Sequence, residues 1–148
     1  MTENMFNNIL FVCVGNICRS PVAEGLAKEL LGMKSKRNIS SCGIDALVGS
    51  SAEKFSIQVL QEINIDISSH KSRQITTEMA LKSDLILTME HEHTKDIQHL
   101  FPFTTGKVHL LGKWNQKEII DPYRKKKPAF NTMLIDIDIT LKGWMNRL

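Results

Sequence analysis

The stretch from Val12 to Pro21, VCVGNICRSP, holds the residue types of a nucleophilic reaction on an oxyanion. Cys13 ends an apolar run, and Arg19 follows six positions later at the start of an amphipathic segment. A guanidinium offers a planar fork of donors that matches two oxygens of a phosphate. A thiolate in an electropositive setting is a nucleophile. The spacing predicts a loop that holds a tetrahedral oxyanion while Cys13 attacks it.

The residues between Cys13 and Pro21 are suited to a turn from a strand into a helix. Ser20 can cap the helix, and Pro21 suits its first position. The helix N-terminus then directs unpaired amides into the loop, and Gly15 lets the backbone turn so that successive amides face inward. A cysteine alone is more often core and an arginine alone more often surface, but C-x5-R-S at this junction favours catalysis. The predicted phosphate-binding residues are Val14, Gly15, Asn16, Ile17, Cys18 and Ser20.

A general acid is needed if the leaving group is an aryl oxygen. Asp121-Pro122-Tyr123 is the most distinctive candidate, because the proline keeps Asp121 out of a helix and in an extended or turn conformation. Tyr123 could form an aromatic wall for a flat substrate ring. Asp45, Asp66, Asp84 and Asp96 have no comparable sequence context.

Composition narrows the class of protein. The 148 residues fit a single domain, residues 1–148, and the formal net charge of +3 comes largely from the run Arg124–Lys127. Aromatic residues are 6% of the chain and none interrupts this run, so we expect no nucleic-acid partner; a solvated loop and a rim that attracts an anion both remain open. No apolar run approaches the length of a membrane span, and the N-terminus does not resemble a secretion signal. Three cysteines without paired spacing predict a reducing cytoplasm and no metal site.

Apolar runs alternate with helix-like segments in the pattern of a parallel sheet with helices on both faces. A Gly-x-x-x-x-Gly-Lys nucleotide loop is absent. Ser50-x-x-Glu53 predicts a capping box before a helix that reaches about Ile63. The predicted strands are Ile9–Val14, Ile39–Cys42, Leu85–Met89 and Lys107–Leu111, and the other predicted helices are Pro21–Leu31, Thr76–Lys82, Glu90–Leu100 and a final helix from about Phe130 to Leu148. Because ligands bind beyond the carboxyl ends of such strands, we expect the loop after the first strand to form the site.

VCVGNICRSP together with the later DPY resembles the low-molecular-weight protein-tyrosine phosphatases, and SSCGIDALVGSSA, HKSRQ and DLILTMEHEH extend the resemblance along nearly the whole chain. The resemblance implies a four-stranded parallel α/β fold with the phosphate loop after the first strand and no cofactor. It implies that Cys13 forms a cysteinyl-phosphate, that Arg19 clamps the oxyanion, and that Asp121 protonates the leaving tyrosine and then activates water. The remaining implied roles are a hydrogen bond from Ser20 to the thiolate, a network of Asn16, Ser41 and His70 that supports the loop, and a reversible disulfide between Cys18 and the nucleophile.

Departures from the animal members concern specificity. Leu47 stands where they carry a bulky aromatic at the pocket rim, and Arg124 replaces a second tyrosine after Tyr123. DPYRK and LLGKW are similar to bacterial members linked to capsule or exopolysaccharide export. That similarity implies a phosphotyrosine protein as partner, namely the tyrosine-rich tail of a membrane tyrosine autokinase, and we expect the chain to act as a cytoplasmic monomer.

Two other functions share parts of this pattern. Thioredoxin-linked arsenate reductases have a similar fold and loop, but they need further cysteines after the third strand region, and residues 82–100 contain none. A non-catalytic phosphotyrosine-binding module would need neither Cys13 nor Asp121. The presence of both residues favours the phosphatase.

Overall fold

The computed structural model describes residues 6–32 and 36–148. Within these residues four strands and five α-helices follow one another, with two short 3-10 turns at Pro102–Thr104 and Leu111–Asn115. The strands are β1 (Asn8–Cys13), β2 (Asn38–Gly43), β3 (Leu85–Thr88) and β4 (Val108–Leu110). The helices are α1 (Arg19–Leu31), α2 (Lys54–Gln61), α3 (Thr77–Lys82), α4 (His91–Leu100) and α5 (Lys127–Met145).

The strands form one parallel sheet in the order β2-β1-β3-β4, which confirms the predicted fold class. Strand β1 is apolar on both faces because each face is covered by helices. Ile9, Phe11 and Cys13 pack in the cluster that includes residues of α1, α2 and α5. Leu10 and Val12 point to the other face, where they join Ile97 of α4. The two clusters hold β1 in the middle of the sheet.

Most predicted boundaries, including the end of α2 at Gln61, agree with the structure to within two residues. The predicted bounds of the final helix are wrong, since α5 runs Lys127–Met145 with a proline in its first turn, where proline is tolerated. The capping box is also wrong, because Glu53 is itself the N-cap and its carboxylate accepts a hydrogen bond from the Phe55 amide at 2.8 Å. Ser50 instead lies in the preceding loop, where its carbonyl accepts from the Ser72 amide at 2.9 Å.

The parallel arrangement brings three strand ends to one edge of the sheet. Cys13 ends β1, Gly43 ends β2 and Thr88 ends β3. The connections that leave these strands therefore lie side by side, at the position where parallel sheets bind ligands. Within the described residues, none of the helices combines the length and the apolar character needed to cross a membrane.

Candidate active site

The loop after β1 enters α1 two residues earlier than the sequence predicts. Helix α1 starts at Arg19, with Cys18 at the N-cap position and no side-chain cap. The prediction that Ser20 caps the helix is therefore wrong, and Pro21 is the third helical residue rather than the first. Pro21 still lies in the first turn, where an amide has no intrahelical partner. Ser20 turns inward, and its hydroxyl lies 2.9 Å from the Cys13 sulfur.

The peptide carbonyls of the loop point outward and find donors in the segments that surround it. Amides of the connection after β2 donate to the carbonyls of Cys13, Val14 and Gly15 at 3.0, 2.9 and 3.1 Å. The Glu53 amide donates to the Ile17 carbonyl at 2.8 Å. In a trans peptide the N–H lies opposite the carbonyl, so this arrangement turns the loop amides inward, as an anion nest requires.

Asn16, not Gly15, adopts the left-handed conformation that turns the loop, with φ of 58°. The asparagine is fully buried, and its side chain stabilises this conformation. Its amide group donates to the hydroxyls of Ser20 and Ser41 at 2.8 and 3.0 Å, and its Oδ1 accepts from the Arg73 amide at 2.9 Å. The expectation that Gly15 provides the turn is therefore wrong.

The carbonyl of Asn16 is held by the segment that contains the HKSRQ motif. His70 Nε2 lies 2.8 Å from this carbonyl oxygen, and the Ser72 hydroxyl donates to it at 2.7 Å. Ser41 extends the network by donating to Glu24 at 2.6 Å. Ser41 and His70 thus lie where the predicted supporting network needs them, and Ser72 joins them.

Arg19 is 2% exposed and is anchored at one end of its guanidinium. Its Nη1 donates to Glu90 Oε2 at 2.6 Å and to the Ile119 carbonyl at 2.8 Å. Its Nη2 lies 3.7 Å from Asp121 Oδ2. Anchoring Nη1 fixes the plane of the group and leaves the remaining donors available to a ligand.

Cys13, Arg19 and Asp121 line the same cavity, which has a volume of about 190 Å³. Asp121 is half exposed at the rim, and its Oδ1 accepts from the Tyr123 amide at 3.0 Å. Of the predicted binding residues, Asn16 and Ser20 lie behind the cavity wall. The other lining residues are Val14, Gly15, Ile17, Cys18, Asp45, Leu47 and Tyr123.

Burial shifts the pKa of two side chains near the cavity, Cys18 and His93. Burial raises the pKa of the Cys18 thiol to about 12, and the neighbouring Cys13 and Asp121 act in the same direction. Burial also lowers the pKa of His93, helped by the nearby Arg19 cation. His93 Nε2 lies 3.5 Å from the same Glu90 oxygen that binds Arg19. At neutral pH Cys18 is therefore a thiol, and His93 is uncharged.

Comparison with known proteins identifies the family. The sequence pattern of the low molecular weight phosphotyrosine protein phosphatases matches residues 8–148. The chain belongs to this family. The phosphatase is 41% identical over 145 residues to a probable low molecular weight protein-tyrosine-phosphatase, AmsI, of Erwinia amylovora, and the match covers 97% of this chain and 99% of the relative.

Solved structures of relatives share the fold of the phosphatase. Vibrio vulnificus Wzb, in complex with benzylphosphonate, superposes with a TM-score of 0.91 at 40% identity, covering 97% of this chain and 99% of that one. The YwlE arginine phosphatase superposes with a TM-score of 0.89 at 28% identity, covering 95% of each chain. In that structure a serine replaces the active-site cysteine and carries a phosphoryl group.

Several site residues of the phosphatase escape sequence reasoning. Asp45 lines the cavity although its sequence context is ordinary. Glu90 and Ile119 hold Arg19 from 71 and 100 positions away. Gly43 lies against the loop so closely that an added Cβ would be 2.4 Å from the Val14 carbonyl oxygen. Only the position of Gly43 at the end of the second strand, and of Asp45 two residues beyond it, could have indicated them.

Proposed function

We propose that the protein hydrolyses phosphotyrosine in proteins through a cysteinyl-phosphate intermediate. The observation that carries this proposal is the convergence of Cys13, Arg19 and Asp121 on one cavity. The relatives at about 40% identity are named tyrosine phosphatases. The phosphorylated serine of the YwlE variant supports a nucleophile at the active-site cysteine in this fold. The arsenate reductase and the binding module are not favoured by these comparisons.

In the first step the Cys13 thiolate attacks phosphorus and the bond between phosphorus and the tyrosine oxygen breaks. Asp121, protonated, gives its proton to that departing oxygen. The loop amides and the free donors of Arg19 stabilise the three equatorial oxygens in the transition state. The products of this step are neutral tyrosine, the cysteinyl-phosphate and the Asp121 carboxylate.

In the second step the Asp121 carboxylate takes a proton from water while the water oxygen bonds to phosphorus. The phosphorus–sulfur bond breaks, and the thiolate departs next to the Ser20 hydroxyl, 2.9 Å from the sulfur. A hydrogen bond from Ser20 stabilises the developing negative charge on sulfur. Asn16 orients Ser20 by donating to its oxygen, and the hydroxyl proton then has two acceptors, the Cys13 sulfur at 2.9 Å and the Cys42 carbonyl at 3.4 Å. The negative charge on the departing thiolate favours the bond to sulfur.

The walls of the cavity favour a flat aromatic group. Leu47 and Tyr123 line the cavity and are each about half exposed, which places apolar surface at its rim. A phosphotyrosine ring between them presents its phosphate to the loop. From the similarity to capsule- and exopolysaccharide-linked members, we infer that the substrate is the tyrosine-rich tail of a membrane autokinase and that the protein acts in the cytoplasm as a monomer.

The test follows hydrolysis of an aryl phosphate and a phosphotyrosine peptide across pH for wild type, Cys13→Ser and Asp121→Asn. We expect no turnover from Cys13→Ser, and from Asp121→Asn a loss of about 10² to 10⁴ in rate together with the pH limb set by the acid. Asp45→Asn is the matched control, since it removes a second cavity carboxylate. Wild-type activity in Cys13→Ser would exclude the Cys13 thiolate as the nucleophile, and faster turnover of a phosphoarginine peptide would reassign the substrate.

A further inference from the structure

Arg124 has a backbone conformation that is energetically unfavourable for arginine. Its φ is +66°, in the left-handed region where glycine and asparagine are favoured. The conformation belongs to a turn in which the Lys125 amide donates to the Pro122 carbonyl at 2.9 Å. Strain of this kind at the edge of a site is a reason to look for function.

The Arg124 side chain packs against the ring of the preceding tyrosine. Its guanidinium carbon lies 5.4 Å from the centre of the Tyr123 ring. Tyr123 lines the cavity and Arg124 does not, so the cation lies next to a wall residue, just outside the cavity. Stacking of this kind favours one position of a long and otherwise mobile side chain.

The positive charge at this rim is not neutralised by the rest of the described chain. Lys127 pairs with Glu62 at 2.6 Å, but Arg124, Lys125 and Lys126 have no carboxylate within ion-pair distance among residues 6–32 and 36–148. Helix α5 begins directly after them without an acidic residue in its first turn, so its positive end adds to theirs. Asp121 and Asp45 are the carboxylates at the cavity, and the three unpaired cations outnumber them, so the surface beside Tyr123 attracts anions.

We propose that Arg124, supported by Lys125 and Lys126, binds an anionic group on a residue next to the phosphotyrosine. The cavity of about 190 Å³ has room for one aromatic phosphate, so the neighbouring residues of a protein substrate must cross the rim. This inference rests on the proposed function and selects acidic phosphotyrosine segments as substrates. A carboxylate and a second phosphate share the required chemistry.

The test compares kcat/KM for three peptides of equal length with one phosphotyrosine each, flanked by glutamine, by glutamate or by phosphoserine. We expect wild type to prefer an acidic peptide over the glutamine peptide by about three- to tenfold, as exposed ion pairs allow, and less so at higher salt. The glutamate and phosphoserine peptides distinguish a carboxylate from a second phosphate. In Arg124→Asn the ratio of kcat/KM for the acidic peptide to kcat/KM for the glutamine peptide should fall toward one.

Arg124→Asn suits this test because asparagine tolerates the left-handed conformation and the variant should unfold at no lower temperature than wild type. Lys82→Asn is the matched control, since it removes an exposed cation at the end of α3, before β3 and hence at the opposite edge of the sheet. An unchanged preference in Arg124→Asn, or none in wild type, overturns the inference alone. Failure of wild type to hydrolyse any of the peptides overturns the proposed function as well.

Discussion

Gly43→Ala tests whether the end of β2 fixes the shape of the phosphate loop. A Cβ at this position would lie 2.4 Å from the Val14 carbonyl oxygen and 3.1 Å from the Asn16 nitrogen. Carbon side chains essentially never approach closer than 3.0 Å, so the loop or the strand must move by at least 0.6 Å. Both neighbours are backbone atoms, and no flexible side chain can move aside instead.

The displacement falls on the peptides that hold the anion. Because a misplacement of about 1 Å in a catalytic geometry can cost roughly 10²-fold, we expect kcat/KM to fall between about tenfold and 100-fold. Overpacking of a tight backbone contact costs about 1–3 kcal/mol, so the free energy of unfolding should fall by that amount. Binding of inorganic phosphate should weaken in parallel with kcat/KM, because the same amides hold both anions.

The assay measures kcat/KM with an aryl phosphate, the dissociation constant of phosphate and the free energy of unfolding in urea. Gly106→Ala is the control, since a Cβ there meets nothing within 4 Å and Gly106 lies in a distant turn before β4. Wild-type kcat/KM in Gly43→Ala would refute the reasoning, because it would mean that the loop adapts without losing its geometry. A loss of stability without weaker phosphate binding would refute it equally.

Three further predictions concern charges around the loop. Glu90→Gln should lower kcat/KM about tenfold and the free energy of unfolding by about 1–2 kcal/mol, as measured by kinetics and urea unfolding. The substitution weakens the hydrogen bond that holds the buried Arg19 guanidinium, and the loss is modest because Glu90 is partly exposed. Burial lowers the pKa of His93, so below about pH 6.5 the unfolded chain binds a proton that the folded chain does not. The free energy of unfolding should therefore fall as the pH is lowered from about 7.5 to 5.5. In His93→Gln it should fall less steeply over the same range. Burial raises the pKa of Cys18 and Cys42 to about 12, so neither thiol should react with iodoacetamide at about pH 8. Mass spectrometric mapping of the native protein should therefore find the label at Cys13 alone. Added phosphate should block the labelling.

The strands and helices could be predicted because their apolar patterns are local. Strand β1 is apolar at every position from Ile9 to Cys13, the signature of a strand buried on both faces, and the structure buries all five side chains. Helix caps were harder. Ser20 and Ser50 are good capping residues, but the Ser20 hydroxyl contacts the Cys13 sulfur instead. Ser72 binds the backbone carbonyl of Ser50 and fixes that residue in the loop before the helix.

The part of the site formed by one segment could also be predicted, and the part formed by several could not. Cys13 and Arg19 lie within a spacing that has a chemical meaning by itself. Asn16 lies in the support of the loop, as the resemblance implies, but the backbone turn that the sequence suggests at Gly15 falls at Asn16, because glycine is the ordinary residue for a turn of this kind. Five hydrogen-bonding groups around the asparagine hold it in the left-handed conformation.

The anchoring of Arg19 explains why this site needs the whole fold rather than the loop alone. An arginine beside a thiolate would otherwise be drawn to the sulfur or to the Asp121 carboxylate, 3.7 Å away, and would neutralise one of the groups that the reaction requires. Glu90 and the Ile119 carbonyl both bind Nη1, so the guanidinium is held while its other nitrogens keep their donors for a ligand. Glu90 lies two residues beyond the end of β3, and Ile119 is fixed by its amide, which donates to the Met89 carbonyl at 2.9 Å. The sheet edge thereby sets the position of the cation, and the loop sets the position of the nucleophile. Because separate parts of the fold position the Arg19 cation and the Cys13 nucleophile, both side chains are in place before a substrate binds.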